Sequence, residues 1–162
     1  MSDAWVRVDD RLIHGQILYG WAPHLSPRRI LLASDMVSAD PGLAAMYRAL
    51  GEGEYAIDVL DVAAAALQLR EPRTRQRTLL VLGSIRDARR MLELGARLER
   101  VNLGGLHGSS GRRRLSGSVF LSEPDAQDLR RLLERGVRLE AQDVPGSAVL
   151  VIDFDTLAAI WP

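Results

Sequence analysis

Ten residues near the amino terminus hold the side chains best suited to chemistry: Arg7-Val8-Asp9-Asp10-Arg11-Leu12-Ile13-His14-Gly15-Gln16. An apolar run, Trp5 to Val8, leads into two acids, an arginine and a histidine, and a glycine then starts a helical pattern. His14 is a nucleophile at neutral pH. Arg11 is a permanent cation whose planar fork of donors fits phosphoryl oxygens. The first helical turn offers backbone N–H groups at Gly15, Gln16 and Ile17 to an anion. Asp10, or its neighbour Asp9, can fix the imidazole tautomer by accepting the second ring N–H. Such a site suits an imidazole that briefly carries a phosphoryl group. Without that chemistry, the same residues form a surface histidine in a capped loop.

Composition removes most rivals. The chain has no cysteine, which excludes thiolate nucleophiles and cysteine-type zinc sites. It has no lysine either; all 21 basic residues are arginine, so a Walker-type phosphate loop and a lysine Schiff base are excluded. The 21 acidic residues balance the charge, which argues against bulk binding to nucleic acid. No apolar run approaches a membrane span, and the first residues do not read as a signal peptide, so a cytoplasmic protein without direct membrane insertion is expected. The residues suggest no cofactor and no metal.

The elements that must position this segment follow from patterning. The 162 residues fit one domain, expected over 1–162. Short apolar runs alternate with helical patterns, which predicts an α/β fold: an open, mostly parallel sheet flanked by helices on both faces. Strands are predicted at 5–8, 29–33, 56–60, 78–82, 100–103, 118–121 and 137–142. Helices are predicted at 16–22, stopping before Pro23; from Asp40-Pro41 to Gly51; at 62–69; from the Ser84 cap to Gly95; and from Ser122-Glu123-Pro124 to Gly136. The tail from Val149 to Trp161 reads as a strand and then a helix capped by Asp153 or Asp155. Residues 104–117, with five glycines, form a long irregular connection.

In such sheets ligands sit at the carboxyl ends of strands. That rule adds Asp35, Asn102, Gly104, Gly105 and His107 as possible cleft residues, each with a plain structural alternative in capping or turn formation. Arg112 to Arg114 read as a solvated charge run or a contact for an acidic partner. His24 reads as a turn residue and Trp21 as core or partner-facing.

The opening segment, followed by Trp21, closely resembles the phosphorylation loop of the mannose/fructose/sorbose-type IIB components of the bacterial sugar phosphotransferase system. Further matches follow in order: Leu32-Ala33-Ser34-Asp35 with Asp40-Pro41, Val101-Asn102-Leu103-Gly104-Gly105, and Gly136-Val137 to Val144-Pro145. The resemblance implies that His14 accepts a phosphoryl group from a IIA phosphohistidine and passes it to a sugar bound by a IIC/IID membrane permease, with Arg11 stabilising the group in flight. It implies a phosphotransferase that meets the membrane only peripherally, through its permease, and it leaves room for a homo-oligomer. The same residues fit a regulatory phosphoprotein with no sugar transport, or a sugar-phosphate-binding module with a non-catalytic His14.

Overall fold

Seven strands meet in one sheet because each is a short apolar run that must be covered on at least one face. The computed structural model describes residues 4–75 and 77–162. In chain order, β1 (Trp5–Val8) precedes a π-helix (Gln16–Trp21) that runs on into α1 (Ala22–Leu25). Next come β2 (Arg29–Ala33), α2 (Asp35–Ala39), α3 (Pro41–Ala49), β3 (Ala56–Leu60), α4 (Val62–Gln68) and α5 (Pro72–Arg75). The second half holds β4 (Thr78–Leu82), α6 (Ile85–Glu93), β5 (Arg100–Leu103), β6 (Arg113–Arg114), β7 (Phe120–Leu121), α7 (Glu123–Glu134), β8 (Arg138–Ala141), β9 (Leu150–Ile152) and α8 (Phe154–Ile160).

The sheet order is β3-β2-β4-β1-β5-β8-β9, parallel except for β9, which runs against β8. β1 therefore lies at the centre, between β4 and β5. Alternate residues feed two cores. One joins Val6, Val8, Leu80, Leu82, Val101 and Leu139 to α4, α6, α7 and α8. The other joins Ile30, Leu32, Ile57, Val59, Leu79 and Val81 to the π-helix, α1, α2 and α3. On this second face a row in register runs Val81, Arg7, Asn102, Glu140, Val151, so apolar packing gives way to polar residues from β1 outward.

Local sequence sets the helix ends. Ser34, Asp40, Asp61, Ser84, Ser122 and Asp153 each cap a helix by accepting from a backbone N–H two or three residues on. Gly95 and Gly136 follow α6 and α7 with φ of 88° and 80°, a conformation glycine adopts without penalty. The structure departs from expectation in five places. The first helix does not stop before Pro23, because that proline sits in the first turn of α1, where its missing N–H costs nothing. Residues 16–21 are π rather than α. Two short helices, α2 and α5, lie where none was predicted. Of 118–121 only Phe120–Leu121 is strand, and it pairs with β6 instead of joining the main sheet. The last parallel strand is trimmed to Arg138–Ala141. The tail forms β9 and α8, with Asp153 as the cap.

Candidate functional site

The chain leaves the carboxyl end of β1 at Asp9 and turns back within three residues. The Leu12 N–H donates to Asp9 O at 3.0 Å, and Leu12 adopts φ of 59°. For a leucine that conformation costs about 1–2 kcal/mol. The side chain is buried against Gly83, whose neighbourhood leaves little room, and burying Leu12 in the second core offsets the strain.

This turn converges donors on one buried carboxylate. Asp9 Oδ1 accepts from the Arg11 backbone N–H at 3.2 Å and from Arg11 Nε at 3.1 Å. Asp9 Oδ2 accepts from Arg11 Nη2 at 3.2 Å, from the Gly105 N–H at 3.1 Å and from Arg7 Nη2 at 3.4 Å. His14 Nε2 lies 3.1 Å from the same Oδ2, in a bent approach that makes a charge contact rather than a straight hydrogen bond. Burial by itself would raise the Asp9 carboxyl, but the hydrogen bonds from Arg11 and Gly105, with the contact from His14, outweigh it and hold the group below the usual carboxylate range.

Arg7 sits beneath, fully buried. Its Nη1 donates to Asn102 Oδ1 at 2.5 Å and to Gln142 O at 2.9 Å, and its Nη2 donates to Asp143 O at 3.0 Å. The guanidinium also lies over the Trp21 ring, 4.8 Å from its centroid. Burial is the dominant influence on Arg7 and pushes its pKa down to about 10, still well charged at neutrality. Asn102 Nδ2 in turn donates to Glu140 Oε1 at 3.1 Å. Gly104 is required here, since a Cβ would lie 2.3 Å from Arg7 Nη2.

The His14 ring is asymmetric. Nε2 is shielded against Asp9, while the Gln16 N–H approaches Nδ1 at 3.3 Å, so Nδ1 is the acceptor and the proton belongs on Nε2. The 18% of the side chain that reaches solvent excludes Nε2. Arg11 is 38% exposed beside it and donates from Nη2 to Gln16 Oε1 at 3.0 Å. An imidazole nitrogen held only by one long backbone contact, on the same turn as a half-exposed guanidinium, can accept an electrophilic phosphorus while the guanidinium balances its oxygens.

The structure thus brings together His14, Arg11, Gly15, Gln16 and Gly105, and changes the place of several predicted residues. Asp10 does not orient His14: both its oxygens are taken by His107, through the His107 N–H and Nδ1, each at 2.7 Å. Asp9 is the carboxylate at the imidazole. The Ile17 N–H does not face an anion, because it donates to His14 O at 2.9 Å. Asp35 is not a cleft wall; it accepts from the Val62 N–H at 2.9 Å and pairs with Arg90 Nη1 at 2.8 Å, which lowers its pKa. Asn102 and Gly104 lie under the site rather than in it. Arg113 and Arg114 are exposed, as a solvated run would be, but Arg112 is half-buried and donates to Phe120 O, and Arg113 lies 4.0 Å over the Trp161 ring. Sequence reasoning missed Arg7 as a site residue. Its signal was a charge in the middle of a four-residue apolar strand.

A family model described as the PTS system sorbose subfamily IIB component matches residues 4–157. The chain belongs to this family of phosphotransferase IIB components. The mannose-specific EIIAB component of Escherichia coli K12 is 30% identical over 122 residues, which make up 75% of this chain and 38% of that longer protein. The N-acetylgalactosamine-specific phosphotransferase enzyme IIB component 1 of the same organism is 29% identical over 147 residues, 86% of this chain and 89% of that one. Its crystal structure matches with a TM-score of 0.84 at 27% identity, covering 92% of this chain and 98% of the other. The IIBSor domain of the sorbose permease from Klebsiella pneumoniae shares the fold over 97% of both chains, with a TM-score of 0.86 at 24% identity. Among the described residues of this IIB component, no helix is long and apolar enough to cross a membrane.

Proposed function

We propose that this IIB component, acting as one domain, is a histidine phosphocarrier. His14 Nδ1 accepts a phosphoryl group from the phosphohistidine of a IIA partner and hands it to a sugar held by a IIC/IID membrane pair. One observation carries the reading: the His14 ring keeps Nε2 against the buried Asp9, leaving Nδ1 in a single long contact with the N–H of Gln16, whose side chain accepts from Arg11.

In the accepting step the Nδ1 lone pair attacks phosphorus, and the donor's P–N bond breaks with its electron pair returning to the donor imidazole. The proton on Nε2 stays beside Asp9, which balances the imidazolium as it forms. The Gln16 contact to Nδ1 is long and is given up at little cost. Arg11 compensates the phosphoryl oxygens, and Arg7 keeps Asp9 in place from below. Positioning and charge compensation supply the catalysis, as phosphoryl transfer requires. Such a carrier works at the cytoplasmic side of its permease, and relatives named for mannose, sorbose, fructose and N-acetylgalactosamine point to a sugar of that class.

Phosphotransfer from a phosphorylated IIA tests this directly. The wild-type chain should take up acid-labile phosphate, with phosphorus NMR placing it on Nδ1, and His14→Ala should take up none. Labelling that persists in the alanine variant sinks the assignment of the site.

A further inference from the structure

We infer that His107, held by Asp10, accepts the proton of the hydroxyl that takes the phosphoryl group from His14. This rests on the phosphocarrier reading above and deepens it by naming the base for its second step.

The loop after β5 is fastened to the turn after β1. The Asp10 N–H donates to Gly105 O at 2.8 Å, and the Gly105 N–H donates to Asp9 Oδ2 at 3.1 Å. His107 then closes on Asp10 twice at 2.7 Å, once from its backbone N–H and once through Nδ1. An ionised carboxylate only accepts, so the pair puts the imidazole proton on Nδ1 and leaves a lone pair on Nε2. The side chain is 61% exposed. Gly105, two residues away, donates to the same Asp9 Oδ2 that His14 Nε2 contacts, so the loop bearing His107 is fastened against the turn bearing His14.

Stability alone does not call for this pair. Backbone bonds already join the two loops, and an exposed ion pair adds about 0–1 kcal/mol. Chemistry does call for it. Transfer between imidazoles needs no base, but a hydroxyl nucleophile must lose a proton. Asp9 is unsuited, since both its oxygens already accept from Arg11, Gly105 and Arg7 and its lowered pKa makes it a weak base. Arg11 has no lone pair. On phospho-His14, Nδ1 carries phosphorus and Nε2 keeps its proton beside Asp9. His24 lies in α1 with its ring edge-on to Trp21.

The step balances. The P–Nδ1 bond breaks and its electron pair returns to Nδ1, restoring a neutral His14 with its proton on Nε2. The O–P bond forms, and the hydroxyl proton moves to His107 Nε2, where Asp10 offsets the imidazolium until water removes it.

The two half-reactions separate His107 from His14. Purified chain is labelled from phosphorylated IIA, then mixed with membrane vesicles containing the IIC/IID pair and mannose, fructose, sorbose or N-acetylgalactosamine. His107→Gln should label within about twofold of wild type yet pass phosphate to sugar about 10²-fold more slowly. Asp10→Asn should lower the same rate at saturating carrier with KM unchanged, and free imidazole should restore part of the His107→Ala rate. The inference is overturned if His107→Gln slows both half-reactions alike, if it slows neither, or if imidazole gives no rescue in a variant that melts like wild type. If wild type labels on His14 and no sugar accepts, this inference falls while phosphate acceptance stands; if His14 never labels, the phosphocarrier reading falls first.

Discussion

β1 and β4 lie side by side in the middle of the sheet, paired from Trp5 with Leu79 to Val8 with Leu82. Every residue of β4 is buried, and it reads Thr-Leu-Leu-Val-Leu, the near-continuous apolar run of a strand covered on both faces. β1 lies between β4 and β5 with almost the same burial, yet carries Arg7 where β4 carries Val81. Both strands end at a turn, but only the turn after β1 gathers a buried carboxylate, two guanidiniums and an imidazole. Two adjacent strands can thus share one packing role while only one bears charge, and the charge marks where the sheet supports chemistry. A buried ion is retained only where partners surround it, and Arg7 has four acceptors and an aromatic face.

Five substitutions at four positions probe that contrast. Asp9→Ala leaves Arg7 without its counter-charge and should cost about 3–5 kcal/mol in a urea melt. A loss under about 1 kcal/mol would mean the carbonyls alone hold Arg7. Because the Asp9 pKa is lowered on folding, its stabilisation is present above the ordinary carboxyl value of about 3.9 and fades as pH falls through the lower folded value. Asp9→Asn should flatten that acid limb. Leu80→Ala in β4 should cost about 2–5 kcal/mol through its cavity while folded molecules label at the wild-type rate; slower labelling would make β4 more than packing. Arg11→Ala should slow labelling about 10²–10³-fold but shift stability by under about 1 kcal/mol, since the side chain is partly exposed. Unfolding of this variant would erase the separation of roles. Asp35→Asn weakens an exposed pair with Arg90 and should change stability by about 0–1 kcal/mol, with labelling intact.

Much of the fold was legible because most parallel strands are distinct apolar runs, most helices carry a capping side chain, and a glycine follows α3, α6 and α7. α2 escaped notice because five residues hold little more than one turn, too few to show a period. The π-helix has no pattern of its own, since Gln16 to Trp21 reads as an ordinary helix start. At the site, residue types sufficed for His14 and Arg11. The choice between Asp9 and Asp10 was not local: it depends on Gly105 and His107, about ninety residues on, taking one carboxylate each. Arg7 was hidden because its partners, Asn102, Gln142 and Asp143, come from β5 and the end of β8.

The polar row across the second face also bears on motion. Over β1, β2 and β4 both faces are packed, whereas over β8 and β9 the second face shows Arg138 and Val151 to solvent. Amides on the β8–β9 margin should therefore exchange with deuterium sooner than those of β4, through openings smaller than global unfolding. Gln142 and Asp143, whose carbonyls hold Arg7, sit at the end of β8. The electrostatic footing of His14 is thus anchored in a margin of the sheet that is open on one face, and whatever quiets or loosens that margin is felt at the imidazole.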